Sequence, residues 1–260
     1  MDERLTEFKR LLDIMDVLRE KCPWDSKQTL ESLRTLTIEE TYELADAIID
    51  DDLMEIKKEL GDLLLHIVFY AKIGSEKGAF DITDVMKGIS EKLIFRHPHI
   101  FAETKVKDAT EVEENWEQIK LKERGGNKRV LGGVPRSLPA MVKAYRMQDK
   151  ARAVGFDWEE NKQVWDKIRE EMMEVQEAVD ASDQAEMENE FGDFLFSVIN
   201  AARLYGVNPE NALERTNKKF RFRFNYLEDK SNAEGRRLKD MSLEEMDAIW
   251  NEAKQIKNND

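Results

Sequence analysis

The sequence predicts an all-α protein made of two tandem helical-bundle repeats joined by a glycine-rich linker. Glycine and proline are scarce, at 12 and 5 of 260 residues, which suits long helices. Apolar residues recur at helical spacing along most of the chain, and alternating β-branched runs are few. One pattern of acids also occurs twice. It reads Glu39-Glu40-Thr41-Tyr42-Glu43 then Glu59-Leu60-Gly61-Asp62, and again Glu170-Glu171-Met172-Met173-Glu174 then Glu190-Phe191-Gly192-Asp193.

The first half, residues 1–105, is predicted to fold as one helical domain. Its helices are expected at about 3–20, 30–49, 53–73 and 82–95 from the spacing of apolar residues. Asp52 with Glu55 resembles a capping box that opens the third helix, and Pro98 stops the fourth.

The middle of the chain, residues 106–136, is predicted to be a linker that contains a short helix around Trp116. Four glycines fall within residues 125–133. No strand precedes them and no Gly-Lys-Ser/Thr follows, so this stretch is interpreted as a loop and not as a phosphate loop.

The second half, residues 137–260, repeats the plan of the first. Each acid of the second copy lies 131 positions after its counterpart, as Glu171 does after Glu40. Asn208-Pro209 and Ser242 with Glu245 are typical helix starts. The expected helices span about 138–153, 162–179, 185–205 and 209–228, followed by a last helix that contains Trp250.

Composition narrows the class of protein. A formal charge of -14 argues against binding a nucleic-acid polymer, since phosphate backbones need basic surfaces. The single cysteine excludes a disulfide framework. The longest apolar run, residues 63–71, is too short to span a bilayer, and the start of the chain has no apolar signal core. A soluble cytoplasmic protein with no membrane partner is expected.

The repeated acids are predicted to bind a divalent metal. Acids three positions apart share one helix face, and a short turn makes the two helices of each copy antiparallel neighbours. Four converging carboxylates repel unless a cation binds them, and all-oxygen ligation suits Mg²⁺ or, as a substitute, Mn²⁺. The candidate ligands are Glu40, Glu43, Glu59 and Asp62 in the first copy, and Glu171, Glu174, Glu190 and Asp193 in the second. The alternative is a set of solvated acids on charged helices.

A di-iron bundle would also use carboxylates on facing helices. It would need Glu-x-x-His pairs, but Asp stands at that position in both copies and no histidine follows residue 99. His66 lies four positions after Asp62, and Ser197 replaces it in the second half, so we interpret His66 as an ordinary helix residue.

The acid pattern resembles the signature of the all-α nucleoside triphosphate pyrophosphohydrolases, and further stretches resemble the MazG family over nearly the whole chain. These stretches are Cys22-Pro23-Trp24-Asp25, Arg96-His97-Pro98-His99, Trp116-Glu117-Gln118-Ile119-Lys120, Pro135-Arg136-Ser137-Leu138-Pro139, Val154-Gly155-Phe156-Asp157-Trp158 and Lys219 with Arg223.

The resemblance implies hydrolysis of nucleoside triphosphates to monophosphate and pyrophosphate, broad base tolerance and a homodimer. It implies that the C-terminal half carries the activity, with Mg²⁺ on Glu171, Glu174, Glu190 and Asp193. It assigns nucleotide binding to Lys167, Lys219, Arg223, Trp250 and Lys120. A further binding stretch falls on residues 186–189, where Glu186 replaces the expected basic residue.

The two copies also differ in ways that the sequence itself reveals. Lys167 corresponds to Leu36, and Trp250 has no counterpart in the first half, so the first copy is expected to be the structural or weaker site. Glu170, beside the ligand set, is a candidate general base. Phe220 and Phe224 share a helix face that we interpret as core. A nucleotide sensor without catalysis and an acidic helical scaffold are the alternatives to an enzyme.

Overall fold

The all-α prediction is confirmed by the computed structural model, which describes residues 2–102, 106–108, 112, 116, 119, 129–158 and 161–256. These residues form helices and turns and contain no strand. None of the described helices combines the length and the apolarity that a membrane crossing requires. The chain divides into two compact units, residues 1–104 and 105–260.

The described residues of the first unit, 2–102, form five helices, and side-chain caps fix where the four long ones begin. The helices are α1 (Glu3–Lys21), α2 (Leu30–Ile49), α3 (Leu53–Glu76), α4 (Ile82–Arg96) and α5 (Pro98–Phe101), with a 3₁₀ turn at Asp25–Lys27. Asp2, Thr29, Asp52 and Asp81 each accept a hydrogen bond from a backbone N–H in the first turn of the helix that follows. The predicted helices of this half are therefore confirmed, whereas α5 and the 3₁₀ turn were not expected.

Helices α2 and α3 form the centre of the first unit. Only a three-residue turn joins them, with Asp51 in the left-handed region at φ 56°, so the two helices run back along each other. Leu33 of α2 packs with Val68, Phe69 and other apolar residues of α3 and with Met15 of α1. Burial of these side chains holds the acid-bearing helices side by side.

The second unit repeats this helix pair and adds a helical hairpin. In its described residues from 129 onwards, the helices are α6 (Ala140–Arg152), α7 (Asn161–Ala181), α8 (Gln184–Leu204), α9 (Pro209–Ala233) and α10 (Leu243–Gln255), with 3₁₀ turns at Val130–Gly133 and Leu238–Asp240. Ser182 has φ 57° at the position that corresponds to Asp51, so the turn between α7 and α8 repeats the one between α2 and α3. Leu227 of α9 is buried with Met241 and Ile249, which ties the hairpin together.

The linker prediction concerns residues that the structure describes only in part. Val112, Trp116 and Ile119 are helical, and Val130–Gly133 form a 3₁₀ turn within the glycine-rich stretch. Residues 120–128 lie outside the described part of the chain, so the linker stays a prediction.

Candidate functional site

The second copy of the acid pattern brings three carboxylates together. Glu171 and Glu174 lie on α7 and Glu190 on α8, and one oxygen from each lies within 4.8 Å of the others. The three-residue spacing on α7 places two acids on one face, and the tight turn at Ser182 places α8 opposite that face. Glu171 is buried, with 5% of its surface exposed. A buried carboxylate among other carboxylates is unfavourable unless a cation is near.

Burial and negative charge both act on the carboxylates of this cluster. Desolvation, followed by the hydrogen bond and negative charge of Glu171, raises the pKa of Glu174. Desolvation also raises the pKa of Glu190, with Glu186 and Asp193 adding repulsion. Lys167 contributes the positive charge, because its Nζ lies 2.7 Å from a carboxylate oxygen of Glu170 and 2.7 Å from one of Glu171. These two hydrogen bonds raise the pKa of Lys167 above its usual value.

The first copy forms a similar cluster from Glu40, Glu43 and Glu59. Glu59 is 1% exposed, and its Oε2 has no hydrogen-bond partner among the described residues. Lys58 donates to the other oxygen at 2.9 Å, and this hydrogen bond lowers the pKa of Glu59. Burial raises the pKa of Glu40. Leu36 stands in the first copy at the position of Lys167, and Lys58 supplies a cation to this cluster from the opposite helix.

The remaining predicted acids surround the two clusters. Asp62 and Asp193 lie outside the groups of three, but their charges raise the pKa values of Glu40 and Glu190. Glu170 is exposed and accepts a hydrogen bond from Lys167. The roles of these three acids as ligands or base stay predictions.

His66 is not among the residues grouped with either carboxylate cluster. It is buried, its ring meets that of Tyr70 edge-on at 6.5 Å, and burial lowers its pKa. This environment supports its interpretation as a helix residue of the core.

The predicted phosphate-binding face on α9 is aromatic as well as basic. The Arg223 guanidinium lies 5.8 Å from the centroid of the Trp250 ring, and Phe220 lies 5.1 Å from the same ring. Phe220 stacks on Phe224, but these rings are 58% and 38% exposed, so their interpretation as core was wrong. Among the described residues, no hydrogen bond or ion pair joins Lys219, Arg223 or Trp250 to the carboxylates. Lys120 lies outside the described part.

A cavity of about 650 Å³ adjoins the second cluster and was not predicted from the sequence. Lys167 and Glu171 lie on its wall, together with aromatic and aliphatic residues of α6, α7, α8 and the loop before α7. Its buried polar groups are Gln148, Glu171, Ser197 and Arg203. A signal was available, because Ser197 and Asn200 replace the bulkier His66 and Phe69 of the first half.

Fold and site together define an all-α protein with duplicated carboxylate sites on paired helices. The family model for the MazG nucleotide pyrophosphohydrolase domain matches residues 28–101 and again 159–227, which include both helix pairs. The chain therefore belongs to the MazG nucleotide pyrophosphohydrolase family and is an enzyme of that class.

Curated relatives cover nearly the whole chain. The nucleoside triphosphate pyrophosphohydrolase of Escherichia coli (strain K12) is 43% identical over 96% of this chain and 98% of its own length. The nucleoside triphosphate pyrophosphohydrolase/pyrophosphatase MazG of Thermotoga maritima is 44% identical over 95% of both chains. The uncharacterized protein YabN of Bacillus subtilis is 48% identical over 96% of this chain and 52% of its own length.

Proposed function

We propose that this chain is a Mg²⁺-dependent nucleoside triphosphate pyrophosphohydrolase that releases a nucleoside monophosphate and pyrophosphate from its second half. The observation that carries the proposal is the position of the Glu171, Glu174 and Glu190 cluster. Its Glu171 lies beside a lysine and on the wall of a cavity large enough for a small molecule. The names of the relatives support the triphosphate substrate.

The residues present fit a hard divalent cation. Glu171, Glu174 and Glu190 offer oxygen ligands from two helices, and Asp193 follows one turn after Glu190. Desolvation first, and then the negative charge of neighbouring carboxylates, raises the pKa values of Glu174 and Glu190, and a bound cation would offset both effects. When bound there, Mg²⁺ would supply Lewis-acid stabilisation of the phosphoryl oxygens, and Mn²⁺ would substitute for it.

The protein's own groups then have distinct tasks. Lys167 neutralises phosphate charge when it exchanges its contacts with Glu170 and Glu171 for the triphosphate. Glu170, released by that exchange, is exposed and accepts the proton of the water that attacks the α-phosphorus. Lys219 and Arg223 bind the departing pyrophosphate, since residues four apart share a helix face.

The first copy keeps three clustered acids and acts as a structural or weaker metal site. Lys58 already neutralises its most buried carboxylate, and no cation corresponds to Lys167 on α2. The wider function we propose is cleansing or regulation of the nucleotide pool with broad base tolerance. A cytoplasmic location stays a prediction.

The functional form that we propose is a homodimer. Both halves expose an apolar stripe on the helix that carries Glu-x-x-Asp, which favours burial against a partner. The stripe consists of Leu60, Leu64 and Ile67 in the first half, and of Phe191, Leu195 and Val198 at the corresponding positions of the second.

Product analysis tests the reaction. Incubation of each NTP with Mg²⁺ should yield pyrophosphate and the monophosphate, and both Glu174→Gln and Asp193→Asn should remove this activity while helicity stays unchanged. Orthophosphate with the diphosphate would indicate a different NTPase. Tight nucleotide binding without a product would indicate a sensor, and activity that survives both substitutions would refute the site.

A further inference from the structure

One buried carboxylate oxygen lacks a partner in the first acid cluster, which consists of Glu40, Glu43 and Glu59. Glu59 is 1% exposed, and one oxygen from each of the three acids lies within 4.8 Å of the others. Among the described residues, Oε2 of Glu59 has no hydrogen-bond partner. An unmet buried acceptor beside two further carboxylates is unfavourable, so this point of the first unit favours a cation as its ligand.

Lys58 supplies the positive charge that a metal would displace from this cluster. Its Nζ lies 2.9 Å from Oε1 of Glu59 and 2.5 Å from Oε1 of Glu55, and its side chain is 60% exposed. A divalent cation on Glu59 would repel this ammonium group and weaken its contact with the carboxylate. Because the side chain is long and exposed, the ammonium group then contacts an anion that lies outside the cluster.

A metal held by three carboxylates keeps coordination positions for such an anion. Mg²⁺ binds through few protein carboxylates and fills its other positions with water or phosphate oxygens. An ammonium group beside it completes a site for an anion with several oxygens, which is the chemistry of a phosphate group. Lys92 and Arg96 add a basic pair on α4, the next helix, which packs on α3. Their four-residue spacing is that of Lys219 and Arg223 on α9.

Two features that adjoin the second copy have no counterpart at the first. Phe69, at the position of Asn200, is 2% exposed and packs in the core of the first unit, so a side chain fills the space that the second copy leaves as a cavity. Trp250, which the resemblance assigns to nucleotide binding, has no equivalent in the first half of the sequence. The first copy therefore offers groups for phosphate and metal but little support for a nucleoside.

We infer that the first acid cluster and Lys58 bind inorganic pyrophosphate together with a divalent cation. The inference rests on the proposed function, which supplies pyrophosphate as a product and a metal at this cluster. Pyrophosphate fits because it carries several charged oxygens and no nucleoside that would need a cavity. The first copy is then a second phosphate site, at which the inorganic product of the reaction binds and stabilises the first unit.

Calorimetric titration of the full chain with pyrophosphate tests this inference. In the double variant Glu171→Gln/Glu174→Gln the second cluster loses two of its three grouped carboxylates, so metal-dependent binding that remains belongs to the first. This variant should bind one pyrophosphate per chain with Mg²⁺ present and none with EDTA. ADP should bind there at least about tenfold more weakly, because one of its phosphoryl oxygens carries a nucleoside that the packed core does not accommodate.

Lys58→Gln in the same background separates the two ligands of the site. It should weaken pyrophosphate binding about tenfold, although it tightens Mn²⁺ binding to the cluster when pyrophosphate is absent. A purely structural role of Lys58 would not change the two affinities in opposite directions. Lys57→Gln is the matched control, since Lys57 is the neighbouring exposed lysine of α3, and it should change the pyrophosphate affinity by less than about twofold.

The outcomes distinguish this inference from the proposed function. Absence of pyrophosphate release from NTP by the wild type would refute the proposed function itself. With an active wild type, a double variant that keeps its helicity but binds no pyrophosphate would overturn only the inference about the first copy. Equal affinities for pyrophosphate and ADP, or equal losses in Lys58→Gln and Lys57→Gln, would also overturn it.

The wild type gives the same test should the double variant unfold. Wild-type protein should bind two pyrophosphates per chain with Mg²⁺ present, and Glu59→Gln should bind only one. A single pyrophosphate site in the wild type would overturn the inference.

Discussion

Replacement of Lys167 by Gln should have opposite effects on metal and on nucleotide. Lys167 Nζ lies 2.7 Å from oxygens of both Glu170 and Glu171, so its positive charge already neutralises part of the negative charge that a bound metal would neutralise. Its removal should therefore favour Mn²⁺ or Mg²⁺ binding in the absence of nucleotide. It should also weaken triphosphate binding, because the same cation is expected to contact phosphate.

The magnitude follows from distance and exposure. Two unit charges 4 Å apart interact by about 4 kcal/mol at an effective dielectric constant of 20. The Lys167 side chain is 36% exposed, so solvent screening reduces this free energy to about 1.4 kcal/mol, or about tenfold in affinity. Calorimetric titration with Mn²⁺ should give a Kd about tenfold lower in Lys167→Gln, and steady-state kinetics should give a KM for NTP about tenfold higher.

Lys58→Gln is the matched control, because Lys58 makes the corresponding contact with Glu59 in the first copy. It should tighten metal binding at the first cluster and leave KM for NTP unchanged. Weaker Mn²⁺ binding by Lys167→Gln would show that the lysine supports the metal site, and an unchanged KM would show that it does not contact the substrate. Either result would refute the reasoning.

Three further predictions concern protonation and stability. Metal affinity should fall as pH falls through the pKa values of Glu174 and Glu190, both raised above 4.5, because protons compete with the metal for these carboxylates. Mn²⁺ titration between pH 7 and 5 measures this affinity, and a Kd that does not change with pH would contradict the prediction. The hydrogen bond from Arg19 lowers the pKa of Glu76, so this ion pair stabilises the fold above pH 4.5 and is lost as pH falls through that lowered pKa. In urea unfolding, Glu76→Gln should lower the free energy of unfolding by up to about 1 kcal/mol at pH 7 and by progressively less towards pH 3. A difference that does not change with pH would count against the ion pair. Met15→Ala should lower the free energy of unfolding by about 2–5 kcal/mol, because the side chain is 1% exposed, and a loss below about 1 kcal/mol would show that the core relaxes around it.

Local signals account for what the sequence could predict. Helix α2 was expected over about 30–49 and spans Leu30–Ile49, because Thr29 caps it and a turn of aspartates follows. The two acid clusters followed from spacing on helices that a turn of two or three residues forces to face each other. Periodicity, caps and a duplicated pattern are all local in the sequence, and they need no knowledge of packing.

Features that depend on packing could not be predicted in the same way. Lys58 contacts Glu59 in the first copy, but the corresponding residue of the second copy is Asn189, so comparison of the two copies does not reveal this contact. Helix α9 ends at Ala233 and not near 228, because Leu227 and Ser231 are buried in the second unit. Phe220 has the spacing of a core residue but lies exposed beside Trp250. Each outcome is decided by which helix covers a given face, which is tertiary information.

Paired substitution of the corresponding acids tests most directly which copy carries the reaction. Glu171→Gln and Glu40→Gln alter the same position of the two repeats, and both can be assayed for pyrophosphate release from NTP with Mg²⁺. Glu171→Gln should lower kcat by about a hundredfold or more, and Glu40→Gln should stay within about twofold of the wild type. Equal losses, or a greater loss in Glu40→Gln, would contradict the assignment of catalysis to the second copy.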